Sequence, residues 1–240
     1  MKRTVCDTLF YAVVGFCCIL FSVLIGMASK QIDQQVIGEA LPRRCTIVLD
    51  PGHGGEDGGA TSKVGALEKD INLSIALKLR QMLTVSGFPV IMTREEDISI
   101  HDKGADTIRE QKVSDLHNRI HIINSDPNHI LLSIHQNNFP QGQYSGAQMF
   151  YSINDPQSKE IAGYIKKAFV GLLQPENTRE IKPAEKNIYL LSNAKVPAVI
   201  VECGFLSNET EAQKLSKDEY QSQVAFTIYC GFLEYCANKL

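Results

Sequence analysis

The chain has no excess of either charge. Its 240 residues carry 24 Lys and Arg against 27 Asp and Glu, a net charge of −3. It therefore lacks the basic footprint of a nucleic-acid binder. Setting aside residues 1–29 leaves 22 basic and 26 acidic residues, so the remainder has no charge to hold it on an anionic surface. Cysteine patterning is missing too. Cys6, Cys17 and Cys18 lie in or near an N-terminal apolar run, while Cys45, Cys203, Cys230 and Cys236 are scattered without C-x-x-C spacing. No thiolate metal site is indicated, and no disulfide pair stands out. A phosphate-binding loop is absent as well: G-x-G-x-x-G from Gly52 would need glycine where Asp57 stands, and no G-K-[ST] follows. There is no internal repeat, low-complexity tract or second domain.

What is present begins with the first 29 residues. Lys2 and Arg3 precede Leu9 to Met27, an uncharged apolar run about as long as a bilayer requires. Basic residues before it and Lys30 just after predict an N-terminus inside and the rest of the chain outside. The alternative is a cleaved signal peptide, because Gly26, Met27, Ala28 and Ser29 leave a weak cleavage site. Either reading exports the domain. Residues 30–44 are polar, end in Pro42-Arg43-Arg44, and read as a tether to a domain over 45–240.

In that domain, strand-like and helix-like stretches alternate. Strands are expected at Thr46–Leu49, Phe88–Thr93, His129–Ile134, Gly146–Tyr151, Ile188–Leu191 and Ala198–Val201. Helices are expected at Glu68–Ser86, Val113–Asn124 and Pro156–Leu173, with a last one carrying Tyr220, Val224, Ile228, Phe232 and Tyr235 on one stripe. Residues 94–111 and Gln174–Asn187 read as polar loops. The expected fold class is α/β: a single domain with a twisted, mostly parallel sheet and helices on both faces.

Four residues carry the chemistry. His53 follows the first strand in TIVLDPGHGG, Glu68 opens the first helix, His135 ends the third strand in LLSIHQN, and Glu202 follows the apolar run PAVIV. In open α/β sheets the active site gathers at the carboxyl ends of the strands. Topology therefore directs all four to one edge. Two imidazoles and a carboxylate are the ligand set of a hydrolytic zinc ion with an open position, and a further carboxylate serves as general base. Each has a plainer reading: a turn histidine at 53, a helix-dipole acid at 68, a core histidine at 135. Glu202 has the weakest of these, since a carboxylate directly after four buried-type residues is costly without a task. His101, His117, His121 and His129 read as surface or structural.

The motifs DPGHGGEDGGA, EKDINLSIALKL, VIMTREED, SIHQN, GAQMFY and PAVIVECGFLSN, in this order, resemble the zinc-dependent N-acetylmuramoyl-L-alanine amidases of the AmiC/LytC type. The resemblance runs from about Thr46 into the last helix. It implies that His53, Glu68 and His135 bind zinc and that Glu202 is the catalytic glutamate. The substrate implied is peptidoglycan, glycan strands with stem peptides, cut between N-acetylmuramic acid and L-alanine. Asn72, one turn from Glu68, is expected to orient it; Asn137 is placed for a substrate hydrogen bond. The stretch from SDLHNRIHIIN through SIHQNNFPQGQYSGAQMFY is similar to the sporulation amidases that prepare spore cortex for muramic-δ-lactam formation. That subtype implies work in the space between the two spore membranes, with residues 9–27 in a membrane. With no wall-binding repeat, such an enzyme is expected to use an activating or targeting protein partner. A zinc peptidase cutting within the stem, and a non-catalytic peptidoglycan-binding module, are the competing readings.

Overall fold

In the computed structural model the described residues are 45–239. The expected membrane segment and tether lie outside them. The described residues form one α/β domain with six strands ordered β2-β1-β3-β6-β4-β5. These are β1 (Thr46–Pro51), β2 (Val90–Met92), β3 (His129–Asn137), β4 (Gln148–Tyr151), β5 (Lys182–Pro183) and β6 (Ala198–Phe205). The helices are α1 (Glu68–Val85), α2 (Ile108–Ile123), α3 (Gln157–Ala168), α4 (Tyr189–Asn193), α5 (Glu209–Leu215) and α6 (Asp218–Lys239). A π-helical turn, Phe169–Leu173, continues α3. No described helix is long and apolar enough to cross a membrane.

The apolar spacing read from the sequence builds these elements. Ile71, Ile75, Leu79 and Leu83 bury one stripe of α1, and Gly87 beyond its end takes φ +85°. Helix α2 starts five residues earlier than expected because Thr107 and Glu110 close a reciprocal capping box. Helices α1, α3 and α6 pack together, whereas α2 packs with α4. Strand β3 is central, with Ile130, Leu131, Leu132 and Ile134 buried as its continuous apolar run requires.

The sheet is mostly parallel as expected, with one antiparallel pairing, and two other expectations need correction. Strand β4 runs antiparallel to β6, so the sheet is mixed: β4 and β5 oppose the four parallel strands. The run Ile188–Leu191, read as a strand, leads into helix α4. Ser192 N–H donates to the Ile188 carbonyl at 3.0 Å and Ala194 N–H to that of Leu190 at 2.9 Å. A short apolar run has no period that separates the two structures. Conversely, Lys182–Pro183, inside the expected polar loop, forms the exposed edge strand β5, where a proline lacking an N–H is tolerated. The cysteines Cys45, Cys203, Cys230 and Cys236 are free.

From β1 the chain leaves through α1 to β2 on one side, then returns through α2 to β3 on the other. The carboxyl ends of β1 and β3 therefore flank the topological switch point, where α/β sheets open a crevice. At the end of β1, Asp50 is completely buried. It accepts from Arg119 Nη1 at 2.6 Å, Ser133 Oγ at 2.6 Å and Thr93 Oγ1 at 2.7 Å. Burial would raise its pKa, but the Arg119 guanidinium and the two hydroxyls hold it at about 2. Such a depressed carboxyl stabilises the fold fully above about pH 4, and that contribution is lost as pH falls through its folded pKa. Arg119→Met is expected to cost about 3–5 kcal/mol near neutral pH, because Asp50 is left ionised in the core. Urea melts should show this gap shrinking toward about pH 3. An equal gap at both pH values would contradict the role given to the pair.

Candidate active site

The loop that follows β1 is gripped by two buried arginines. Arg94 Nε donates to the Pro51 carbonyl at 2.9 Å, and its Nη2 to those of Gly52 at 3.0 Å and Lys69 at 2.8 Å. Arg119 Nη1 donates to the Pro51 carbonyl at 2.9 Å and its Nη2 to that of His53 at 2.8 Å. Three successive carbonyls are thereby fixed. At their end His53 sits at φ +65°, a left-handed conformation rare for a residue with a side chain. Strain of this kind persists where the surroundings over-determine it.

The grip brings His53 to Glu68. His53 Nε2 lies 3.2 Å from Glu68 Oε1, and His135 Nδ1 lies 3.0 Å from the same oxygen. Candidate ligand atoms of His53, Glu68 and His135 all lie within 4.8 Å of one another. Glu68 is 4% exposed and fully engaged. The backbone N–H of Gln136 donates to its Oε1 at 3.1 Å and that of Ala60 to its Oε2 at 2.8 Å. Asn72, buried one turn along α1, donates to Glu68 Oε1 at 3.4 Å and to the Gly52 carbonyl at 3.2 Å. Burial alone would raise the Glu68 pKa; the two histidines outweigh it and hold the carboxyl far below its usual range.

Glu202 stands apart from this cluster. Its register partner across the parallel β3–β6 ladder is His135, so the two side chains share one face of the sheet. Its Oε2 is enclosed and has no hydrogen-bond partner. Burial pushes its pKa up to about 7, against the attraction of His135. A carboxyl near neutrality both takes and returns a proton. Asn137, by contrast, lies at the end of β3 beside Phe205, and its carbonyl accepts from Leu206 N–H at 2.8 Å.

Sequence reasoning missed Asp57. Its Oδ2 lies 2.9 Å from His53 Nδ1, and Lys112 Nζ lies 2.9 Å from its Oδ1. Burial works against protonation of His53, but Asp57 and Glu68 raise its pKa to about 9. A carboxylate on the outer nitrogen fixes the tautomer and leaves the inner nitrogen facing the cluster. The turn chemistry offers a signal: Gly54 and Asp57 exchange backbone hydrogen bonds at 2.9 and 3.2 Å, which returns Asp57 to the ring four residues before it. Arg119 had a signal too, as an arginine four residues after Asp115 on the α2 stripe that ends at Ile123. A cavity of roughly 190 Å³ opens beside the site, lined by His53, Asp57, Lys112, Leu116, His135 and Leu190.

The sequence pattern of the Amidase_3 family, N-acetylmuramoyl-L-alanine amidase, matches residues 47–234. The chain belongs to this family. A germination-specific N-acetylmuramoyl-L-alanine amidase of Bacillus subtilis is 41% identical over 195 residues, covering 80% of each chain. The amidase LytC of Bacillus subtilis is 29% identical over 209 residues, covering 86% of this chain but 37% of that one. Among solved structures, the CwlD amidase of Clostridioides difficile, in complex with the GerS lipoprotein, superposes with a TM-score of 0.78 at 42% identity. That match covers 81% of this chain and all of the other. The expected family, and with it the amidase activity, is borne out, as is the α/β fold class.

One glycine tests the packing of this candidate site. A Cβ on Gly52 would lie 2.1 Å from ring atoms of His135, so Gly52→Ala must displace that ring. It is expected to weaken divalent-metal retention at least about tenfold, the scale of losses when a ligand is misdirected. Gly163→Ala, in α3 with open space around it, is the control. Metal titration of both variants checks this, and equal retention would contradict it.

Proposed function

We propose that this chain is a zinc amidase that hydrolyses the amide between the lactyl group of N-acetylmuramic acid and L-alanine of the peptidoglycan stem. The observation that carries this is the division within the site: two imidazoles and one carboxylate converge, and a fourth side chain, Glu202, whose Oε2 is enclosed and unpartnered, stands across the ladder from His135. The donor set fits zinc, with two imidazoles, one carboxylate and room for a substrate oxygen. His53, Glu68 and His135 would hold the ion, with Asp57 and Asn72 orienting the ligands. Zinc bound there supplies a Lewis acid for the scissile carbonyl and lowers the pKa of the attacking water. Glu202 takes the proton from that water and delivers it to the departing L-alanine nitrogen. The cavity between the His53 loop and α2 receives the substrate beside these groups, and Asn137 hydrogen-bonds it.

The finer role rests on kinship. The germination-specific relative supports work on spore cortex, toward muramic-δ-lactam formation, in the space between the two spore membranes. Residues 9–27 would anchor or export the domain. The GerS complex of the related amidase supports a protein partner that activates or targets this chain. Two variants separate the roles of metal and proton. Glu202→Gln is expected to keep zinc and lose about 10²–10⁴ of the rate, the range for general acid–base catalysis. His135→Ala is expected to lose both. Zinc analysis and product analysis of digested peptidoglycan check this: an amidase frees L-alanine amino termini and leaves peptide-free muramic acid. Full activity in Glu202→Gln would sink the mechanism. Cleavage inside the stem would replace it with the peptidase reading.

The Asp57 contact generates a further expectation. Asp57→Asn leaves the fold intact and lowers zinc affinity about 10–100-fold. Competition with a chelator measures it, and an unchanged affinity would remove Asp57 from the site.

A further inference from the structure

The β3–β6 ladder carries a second feature on the same edge. Glu202 pairs with His135, but Phe205 pairs with Asn137, so three steps of β6 match two of β3. This bulge sets Phe205 on the face that Glu202 uses; strict alternation would have sent it to the other. Phe205 is fully buried, and three side chains gather on it. Phe139 stacks on its ring at 5.7 Å with planes 26° apart, Tyr144 lies 6.2 Å away, and the Arg179 guanidinium sits 4.4 Å above it. Phe139 and Tyr144 meet edge to face at 5.7 Å, yet remain 45% and 41% exposed.

These rings are held in place. Phe139 N–H donates to Ser207 Oγ at 3.1 Å, Asn208 Nδ2 to the Gly142 carbonyl at 3.0 Å, and Arg179 Nε to the Ser145 carbonyl at 2.8 Å. The Arg179 Nη1 turns to the neutral Gln148 Oε1 at 3.1 Å. An exposed aromatic pair on a pinned loop, continuous with a catalytic edge, is a pre-organised ligand surface. Three residues beyond Glu202, at roughly 3.3 Å per residue, put it about 10 Å along that edge.

We propose that Phe139 and Tyr144 form a glycan-strand subsite, stacking on a pyranose ring next to the muramic acid whose peptide is removed. This rests on the amidase reading above. A pyranose ring presents C–H groups on its flat faces and hydroxyl and acetamido groups at its rim. Aromatic faces match the former. The exposed part of the platform is neutral ring, which suits a sugar better than an anionic stem peptide. The platform makes the enzyme prefer a stem on a polymeric strand over the same stem on an isolated disaccharide.

The test uses the full zinc-loaded chain in detergent, with Phe139→Ala/Tyr144→Ala and the conservative pair Phe139→Tyr/Tyr144→Phe. Calorimetry reads affinity for a peptide-free glycan oligomer. Kinetics read the ratio of kcat/KM on long strands to kcat/KM on one disaccharide-peptide unit. The alanine pair is expected to lower both the affinity and the ratio about tenfold, the scale of one lost aromatic contact. The conservative pair should keep both within about twofold, since its ring faces survive. An unchanged affinity or ratio in the alanine pair overturns the proposal. So does a loss of affinity for an isolated stem peptide in place of the glycan. If the parent protein binds the oligomer through these rings but hydrolyses nothing, the amidase reading fails and the platform stands. If it hydrolyses strands but does not bind the oligomer, the platform falls.

Discussion

One carboxylate oxygen organises this site. Glu68 Oε1 is approached by His53 Nε2, His135 Nδ1, the Gln136 N–H and Asn72 Nδ2. A buried carboxylate is tolerated only with such donors around it. They come from the loop after β1, from the end of β3 and from α1 itself, so the site is assembled only when those elements dock. The close approach is also why small residues surround it. A Cβ on Gly59 would lie 2.6 Å from Glu68 Oε2 and 2.8 Å from the His53 ring.

A second, wholly polar layer supports the first. Asp50 and Arg119 are buried together below the site, and Arg119 with Arg94 holds the carbonyls of Pro51, Gly52 and His53. An ion pair in such a place contributes little net stability over an apolar substitute. What it supplies here is a fixed backbone on which His53 can sit at positive φ and reach Glu68. Asp57, itself paired with Lys112, then sets the ring. The position of these candidate ligands thus traces back to charges at the switch point of the sheet.

Much of this was legible in the sequence, for reasons particular residues make plain. His53, His135 and Glu202 follow strand-like runs, and the rule that such ends gather at one edge places them without coordinates. Glu68 follows from the helix start. Strand direction was not legible: the alternation in Gly146–Tyr151 is the same whichever way the strand points. The identity of Ile188–Leu191 was hidden because four apolar residues fit helix or strand. Asp57 and Arg94 stand in the very motifs that carry the family resemblance, and Arg119 in the stretch similar to the sporulation amidases. Their partners, however, are backbone carbonyls and ring nitrogens as far as 68 residues away, and spacing does not encode such contacts. The bulge that turns Phe205 toward Glu202 leaves no trace in composition either.

The central claim is that His53, Glu68 and His135 hold the metal while Glu202 holds only the proton. Anomalous diffraction at the zinc edge from crystals of the zinc-loaded protein tests it most directly. The account predicts a single peak bonded to those three side chains, with the Glu202 carboxylate outside bonding distance. A peak elsewhere, or one with Glu202 among its ligands, would contradict it.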